Sequence, residues 1–135
     1  MKLEELNEQL IKDLEVDQTK LSLELSKNPL LHARWLRVYN EARREIISLE
    51  AKKKKLLKDK IDYYSNRSDE FCPFEYSTSE LKIVLNADSE LLPVDTKIEY
   101  YTLIADFANK ALDAVKGRGY AINNMVKLRE LESGK

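Results

Sequence analysis

The chain has 135 residues, 43% of them hydrophobic and 35% charged, with three glycines, three prolines, one cysteine and a net charge of −1. That length is the size of one compact domain, and so little turn chemistry argues against a β-sandwich or barrel, whose strands need frequent punctuation. A single cysteine excludes an intrachain disulfide, and the lack of any apolar run of about 18 residues argues against a membrane-spanning helix.

In chain order, Leu3, Leu6, Leu10 and Leu14 fall on one helical face, with Glu4, Glu5, Glu8 and Lys12 elsewhere. This charged start does not resemble an export signal. Asp17 and Thr19 are candidate caps where the first helix ends. Leu21, Leu23 and Leu25 alternate as in a strand, yet a short helix is equally allowed over residues 19–27. Asn28-Pro29 reads as the start of the next helix, because Asn caps free N–H groups and Pro at the first helical position loses nothing. From there to Tyr64 no Gly or Pro interrupts. Trp35, Val38, Ala42, Ile46, Leu49, Leu56, Leu57, Ile61 and Tyr64 form an apolar stripe, broken by Lys53. Such a helix would be about 54 Å long at 1.5 Å per residue, and predicts an arm or a coiled-coil-like pair.

The middle of this helix carries the chain's positive charge. Residues 1–31 hold 4 basic and 7 acidic side chains, residues 32–67 hold 11 and 5, and residues 68–135 hold 8 and 12. The nets are −3, +6 and −4, so a near-neutral total hides a cationic centre suited to a polyanion. Its densest part is Lys52-Lys53-Lys54-Lys55, followed by Lys58, Lys60 and Arg67, with Arg34, Arg37, Arg43 and Arg44 upstream. Tyr63 and Tyr64 follow at once, and aromatic faces beside ammonium groups suit the unpaired bases of a single strand. A solvated lysine face with the tyrosines in a core is the bland alternative. Trp35, on the apolar stripe, is assigned to packing.

Residues 65–76 read as a loop with a turn-like polar half and an aromatic half, Phe71-Cys72-Pro73-Phe74, that should pack against something. Ser77 with Glu80 is a capping box for a short helix ending near Asn86. Leu91-Leu92-Pro93 breaks the pattern, and Asp95 or Thr96 starts the last helix. Here Ile98, Tyr101, Ala105, Ala108, Leu112, Val115, Gly119, Ile122 and Val126 are spaced alternately by three and four, a heptad seam sustained across Gly117 and Gly119. Ile104, Phe107, Ala111, Ala114, Ala121 and Met125 beside it are apolar as well. The seam is read as a subunit interface, with a hairpin turning at Gly117-Arg118-Gly119 as the alternative. The expected architecture is all-α, a long helical arm plus a C-terminal heptad helix forming a homo-oligomer. Residues 1–67 would hold the basic arm, and residues 68–135 the loop and the oligomerisation region, within one structural domain.

Enzyme chemistry finds little to use. His32 has no metal-ligand neighbour at a suitable spacing, Cys72 lacks a local activator, and Gly117-Arg118-Gly119 is too short for a phosphate loop. No enzymatic activity, metal or other cofactor is expected. A structural or solvated role is expected for His32 and a packed one for Cys72.

Several strings together are familiar. Leu49-Glu50-Ala51-Lys52-Lys53, Leu57-Lys58-Asp59-Lys60-Ile61-Asp62-Tyr63-Tyr64-Ser65, Val94-Asp95-Thr96, Ala111-Leu112-Asp113-Ala114-Val115-Lys116, Arg118-Gly119-Tyr120-Ala121-Ile122 and Gly134-Lys135 resemble the UvsY-type recombination mediators of T4-like phages. The similarity runs almost end to end. It implies a non-enzymatic protein, a heptameric open ring, that binds single-stranded DNA. Such a protein loads a RecA-like phage recombinase onto DNA coated by the phage single-strand-binding protein, in the cytoplasm of the infected bacterial host. It also implies DNA contact at Lys58 and Lys60. Where the family pattern has Ala and then Arg, this chain has Asp59 and Lys60, which interposes an anion and gives up the bidentate fork of arginine. Around that pair the candidate DNA-binding residues are Lys54, Lys55, Arg67, Tyr63 and Tyr64. The candidate oligomerisation residues are the nine of the heptad seam. The rival reading is a coiled-coil scaffold with no nucleic-acid role.

Overall fold

In the computed structural model, which describes residues 1–134, the chain is four helices and no strand among those residues. These are α1 (Leu3–Leu14), α2 (Leu21–Tyr64), α3 (Thr78–Asn86) and α4 (Leu91–Glu132). Contacts divide the chain into two units. One comprises Met1–Ala42 and Leu103–Lys135, of which Lys135, the last residue of the Gly134-Lys135 string, lies outside the described residues. The other is Arg43–Thr102.

In the first unit the leucine face of α1 meets α2 and α4. Leu6 and Leu10 pack against a buried cluster of Leu31, Trp35, Ala108, Ala111 and Val115. Trp35 is fully buried, as its place on the stripe predicted, and meets the edge of Phe107 at 5.9 Å between ring centres. The small side chains of Ala108 and Ala111 leave room for the indole. Its Nε1 donates to Asp13 at 3.0 Å. Asp13 also accepts from Gln9 and Arg34, each at 2.7 Å, so a buried carboxylate is met by three donors.

The start signal at Asn28-Pro29 is overridden. α2 begins at Leu21 and runs through Pro29 without ending, which settles residues 21–27 as helix. Proline removes one backbone bond of the helix, but burial of Leu21, Glu24 and Leu31 holds the turns on either side of it. Asn28 is occupied elsewhere. Its Nδ2 donates to the Val115 carbonyl at 2.7 Å, and its Oδ1 accepts from Arg118 at 2.7 Å. Arg118 is itself buried and donates to the Glu24 carboxylate at 2.6 Å, the Glu24 carbonyl at 2.9 Å and the Glu15 carbonyl at 3.2 Å. A hydrogen bond from Lys27, and secondarily the positive charges of Lys27 and Arg118, hold the Glu24 carboxyl below its usual range. α4 continues through Gly117 and Gly119, which rules out the hairpin. Gly119 is needed there, since a Cβ would sit 2.8 Å from Asn28 Nδ2.

The second unit is built around Ile46, Cys72, Leu91 and Val94. The capping box forms as the sequence predicted: Ser77 accepts from the Glu80 N–H at 3.2 Å and its own N–H reaches the Glu80 carboxylate at 3.4 Å. The start expected at Asp95 or Thr96 lies four or five residues too late. Asp88 accepts from the N–H groups of Glu90 and Leu91 at 2.8 and 3.1 Å and starts α4 at Leu91. Pro93 then falls in the first turn, where its missing N–H has no helical partner to lose. Asp95, freed from capping, pairs with Lys53 at 2.7 Å, which is how a lysine sits within the apolar stripe.

Candidate nucleic-acid interface

The lysine run occupies the second unit's part of α2. At about 100° per residue the four consecutive lysines fan round the helix, and the structure separates their fates. Lys52, Lys54 and Lys55 are exposed and have no ion-pair partner among the described residues. Lys53 turns inward to Asp95. Lys58 and Arg67 are exposed and share Asp62, at 3.3 and 3.7 Å, in contacts that solvent keeps weak.

Lys60 is set differently. Its side chain is only 18% exposed and lies 3.5 Å from Asp88 and 3.3 Å from Glu90. Burial works to lower its pKa, but the Glu90 hydrogen bond and the charges of Asp88 and Glu90 outweigh it and raise the ammonium above its ordinary value. Tyr64 donates to the same Asp88 at 2.6 Å. That hydrogen bond, aided by burial, pushes the phenol well above its usual range. Burial pushes the Asp88 carboxyl up. The bonds from Tyr64, Glu90 and Leu91 and the charge of Lys60 overcome that and lower it.

Tyr63 and Tyr64 meet edge to face at 5.0 Å, and Tyr64 meets Tyr76 at 5.9 Å, so these rings already pack on one another and both are half-buried. The most exposed aromatics of this unit lie in the loop instead, with Tyr100 of α4 open to a lesser degree. Of the aromatic half expected to pack, Cys72 is buried and Phe74 meets Tyr76 at 6.2 Å, yet Phe74 stays 62% exposed and Phe71 80%. Asn66, in a left-handed conformation at φ 56°, grips Cys72 from both sides: its Oδ1 accepts from the Cys72 N–H at 2.8 Å and its Nδ2 donates to the Cys72 carbonyl at 3.2 Å.

None of the nine heptad residues is exposed. Ala105, Ala108, Val115 and Ile122 are buried within this one chain, and Ile98, Tyr101, Leu112, Gly119 and Val126 are half-buried. The apolar side chains that α4 leaves open are others, chiefly Leu103, Tyr120, Leu128 and Leu131, and in the first unit Ile11, Leu23 and Leu30 are open as well. Asp88 and Arg118, neither of them among the residues expected to form a site, organise the rest. Asp88, a capping type five residues before a proline, had a local signal. Arg118 is a cation three residues beyond Val115 on an apolar face, and there the signal was the misfit. His32 is half-buried. Among the described residues no cluster of His, Cys, Asp or Glu could hold a metal ion, and no helix is long and apolar enough to cross a membrane.

Residues 9–135 match the family model described as recombination, repair and ssDNA binding protein UvsY. The chain is 44% identical to the recombination protein uvsY of Enterobacteria phage T4 over 137 residues, with both chains fully covered. It superposes on two crystal structures of the bacteriophage T4 recombination mediator protein UvsY, lattice types II and IV. The TM-scores are 0.93 and 0.92 at 43% and 42% identity, covering 98% and 97% of this chain and 98% and 99% of those. A match this complete in sequence and in fold places the chain in the UvsY family of recombination, repair and single-stranded-DNA-binding proteins.

Proposed function

We propose that this chain is a recombination mediator with no catalytic step of its own. It binds single-stranded DNA and promotes loading of a RecA-like phage recombinase onto DNA coated by single-strand-binding protein, in the cytoplasm of the infected host. The observation that carries the reading is the set of exposed lysines on α2 that no carboxylate neutralises, in a chain of this family. Lys54, Lys55, Lys58 and Arg67 are the phosphate contacts. Lys60, Tyr63 and Tyr64 complete the site, Lys60 exchanging a carboxylate for a phosphate when DNA arrives.

One subunit offers few contacts, so function requires assembly, in which several weak sites on one strand gain by effective concentration. A ring of seven subunits fits this reading. The exposed Leu103, Tyr120, Leu128 and Leu131 of α4 supply apolar surface for it beside the half-buried seam residues. The strand and the two DNA-binding proteins are then the partners, and no cofactor is needed.

The test is a titration of a labelled oligonucleotide at several salt concentrations. Each phosphate contact on a single strand contributes about 0.7 to the slope of log affinity against log salt. Lys54→Ala/Lys58→Ala should therefore weaken binding and flatten the slope by about 1.4 per subunit engaged. Unaltered affinity and slope would remove these lysines from the site, and a wild-type chain that ignores the oligonucleotide even at low salt would leave a scaffold without nucleic-acid binding.

A further inference from the structure

Between α2 and α4 of the second unit runs an open furrow. Its floor is Leu49, Leu56, Pro93 and Val94, and its rim carries Lys52, Lys55 and Lys97. The hollow is about 420 Å³, within the range of pockets that take small molecules. At Leu49 and Lys97 it continues into a second hollow of about 430 Å³, lined also by Thr96, Tyr100 and Tyr101. We propose that this furrow seats unstacked bases of a single nucleic-acid strand, while Lys52, Lys55 and Lys97 hold the flanking phosphates. The inference rests on the single-strand reading above and assigns it a second set of contacts.

The chemistry of the lining chooses the occupant. A base offers two apolar faces and, a few ångströms away, a phosphate; the furrow offers an apolar floor with ammonium groups along its edge. None of the three lysines has an ion-pair partner among the described residues. The carboxylates stand at the ends: Asp59 and Glu90 at one, Glu45 at the other. Glu90 is already engaged by Lys60. The charge is therefore positive along the middle and negative at the mouths, which suits a short stretch of strand entering and leaving. An apolar helix from another protein would match the floor but would leave three ammonium groups facing greasy side chains.

The furrow also supplies what the tyrosine pair cannot. Tyr63 and Tyr64 pack against each other and Tyr76, whereas the furrow is open. Bases locked in a duplex cannot turn into it, so it selects unpaired strands, and stacking on such sites tolerates any sequence. Lys54 lies on the far side of α2 from Lys52, two residues or about 200° away. The two lysine sets share Lys55 and are otherwise distinct, so Lys52 with Lys97 can be separated by mutation from Lys54 with Lys58.

The experiment compares two pairs of substitutions and one blocking variant in the full chain, each checked for helix content and thermal melting. Lys52→Ala/Lys97→Ala should reduce single-strand affinity about tenfold and flatten the salt slope by about 1.4. Thr96→Trp fills the furrow from an exposed position. It should reduce affinity while leaving the salt slope unchanged, and it should abolish the emission change of a 2-aminopurine base placed in the oligonucleotide. Wild-type binding by both variants, with Lys54→Ala/Lys58→Ala still impaired, overturns the furrow and spares the single-strand reading. Wild-type binding by all three overturns the furrow together with the Lys54 and Lys58 contacts, and a wild-type protein that ignores unpaired oligonucleotide at low salt overturns the single-strand reading itself. A Thr96→Trp protein with altered subunit number but unchanged affinity per subunit shows the furrow to be a contact between copies, which also overturns the inference.

Discussion

The two units use the same ionic residue types in opposite ways. In the first, Arg118, Glu24 and Asp13 are buried and each finds several partners. In the second, Lys52, Lys54 and Lys55 stand in solvent with none among the described residues. A buried charge is tolerated only when its hydrogen bonds are met, and removing one partner strands the other. An exposed charge costs little and remains available to a ligand. Charge in the first unit therefore fixes how three helix segments meet, and charge in the second is left over for binding. Substitutions in the first should move stability and leave the salt dependence of DNA binding alone, and the lysine substitutions should do the reverse.

Arg118→Ala should break this contrast most severely. It strips the buried Glu24 carboxylate of its arginine, leaving it the ion pair with Lys27, and leaves the Glu24 and Glu15 carbonyls without the Arg118 donor. The expected loss is about 3–5 kcal/mol in urea unfolding. Replacing both partners, Arg118→Met with Glu24→Leu, should restore much of that loss, because apolar side chains of similar size fill the space without a stranded charge. If the double variant were no more stable than the single one, burial of charge would not be the cause. Gly119→Ala comes next. Its Cβ would displace Asn28, which is tied at both ends to α4. Breaking those two bonds should cost roughly 1–3 kcal/mol, read as a lower midpoint with the same denaturant slope.

How much of this was legible in the sequence depended on whether the deciding contact was local. The capping box at Ser77 and Glu80 lies within four residues, and it was read correctly. The leucine face of α1 and the heptad register of α4 are periodic, and they too were plain. Asn28-Pro29 misled because its local meaning, a helix start, lost to contacts with Val115 and Arg118 some 87 and 90 residues away. Lys53 looked like a break in the stripe until Asp95 was found opposite it. The lysine run was visible as a run, but which lysines face solvent and which face carboxylates follows from helix phase and from Asp88, Glu90 and Asp95 on another segment. The furrow was invisible for the same reason: its floor and rim come from α2 and α4 together.

Asp88 is where the second unit departs from its own rule, being a buried carboxylate with several donors. Tyr64→Phe removes the shortest of its side-chain bonds, at 2.6 Å. The expected loss is about 1–2 kcal/mol at neutral pH, near the low end for a hydrogen bond to a charged group because the phenol's own residue is only half-buried. The sign with pH follows from the lowered carboxyl. Its stabilisation is fully present above its ordinary value of 3.8 and fades as pH falls below that, towards the depressed folded value. Wild type and Tyr64→Phe should therefore differ most at neutral pH and converge on acidification. A constant difference down to pH 2 would mean the phenol acts through packing alone.

The smallest expected effect bears on Lys60. If this lysine takes a phosphate only by leaving a carboxylate, weakening its hold should strengthen DNA binding. Glu90 is 62% exposed and 3.3 Å from the ammonium. A solvated pair of this kind contributes about 0.2–1 kcal/mol, so Glu90→Gln should raise single-strand affinity at most about fivefold, with little change in stability. Losing a negative charge would itself favour DNA slightly, and a double-mutant cycle separates the two causes. In a Lys60→Met background the gain from Glu90→Gln should shrink to the general charge effect. An equal gain in both backgrounds would mean that Lys60 never leaves Asp88 and Glu90. The phosphate path would then lie wholly on the lysines that α2 turns towards solvent.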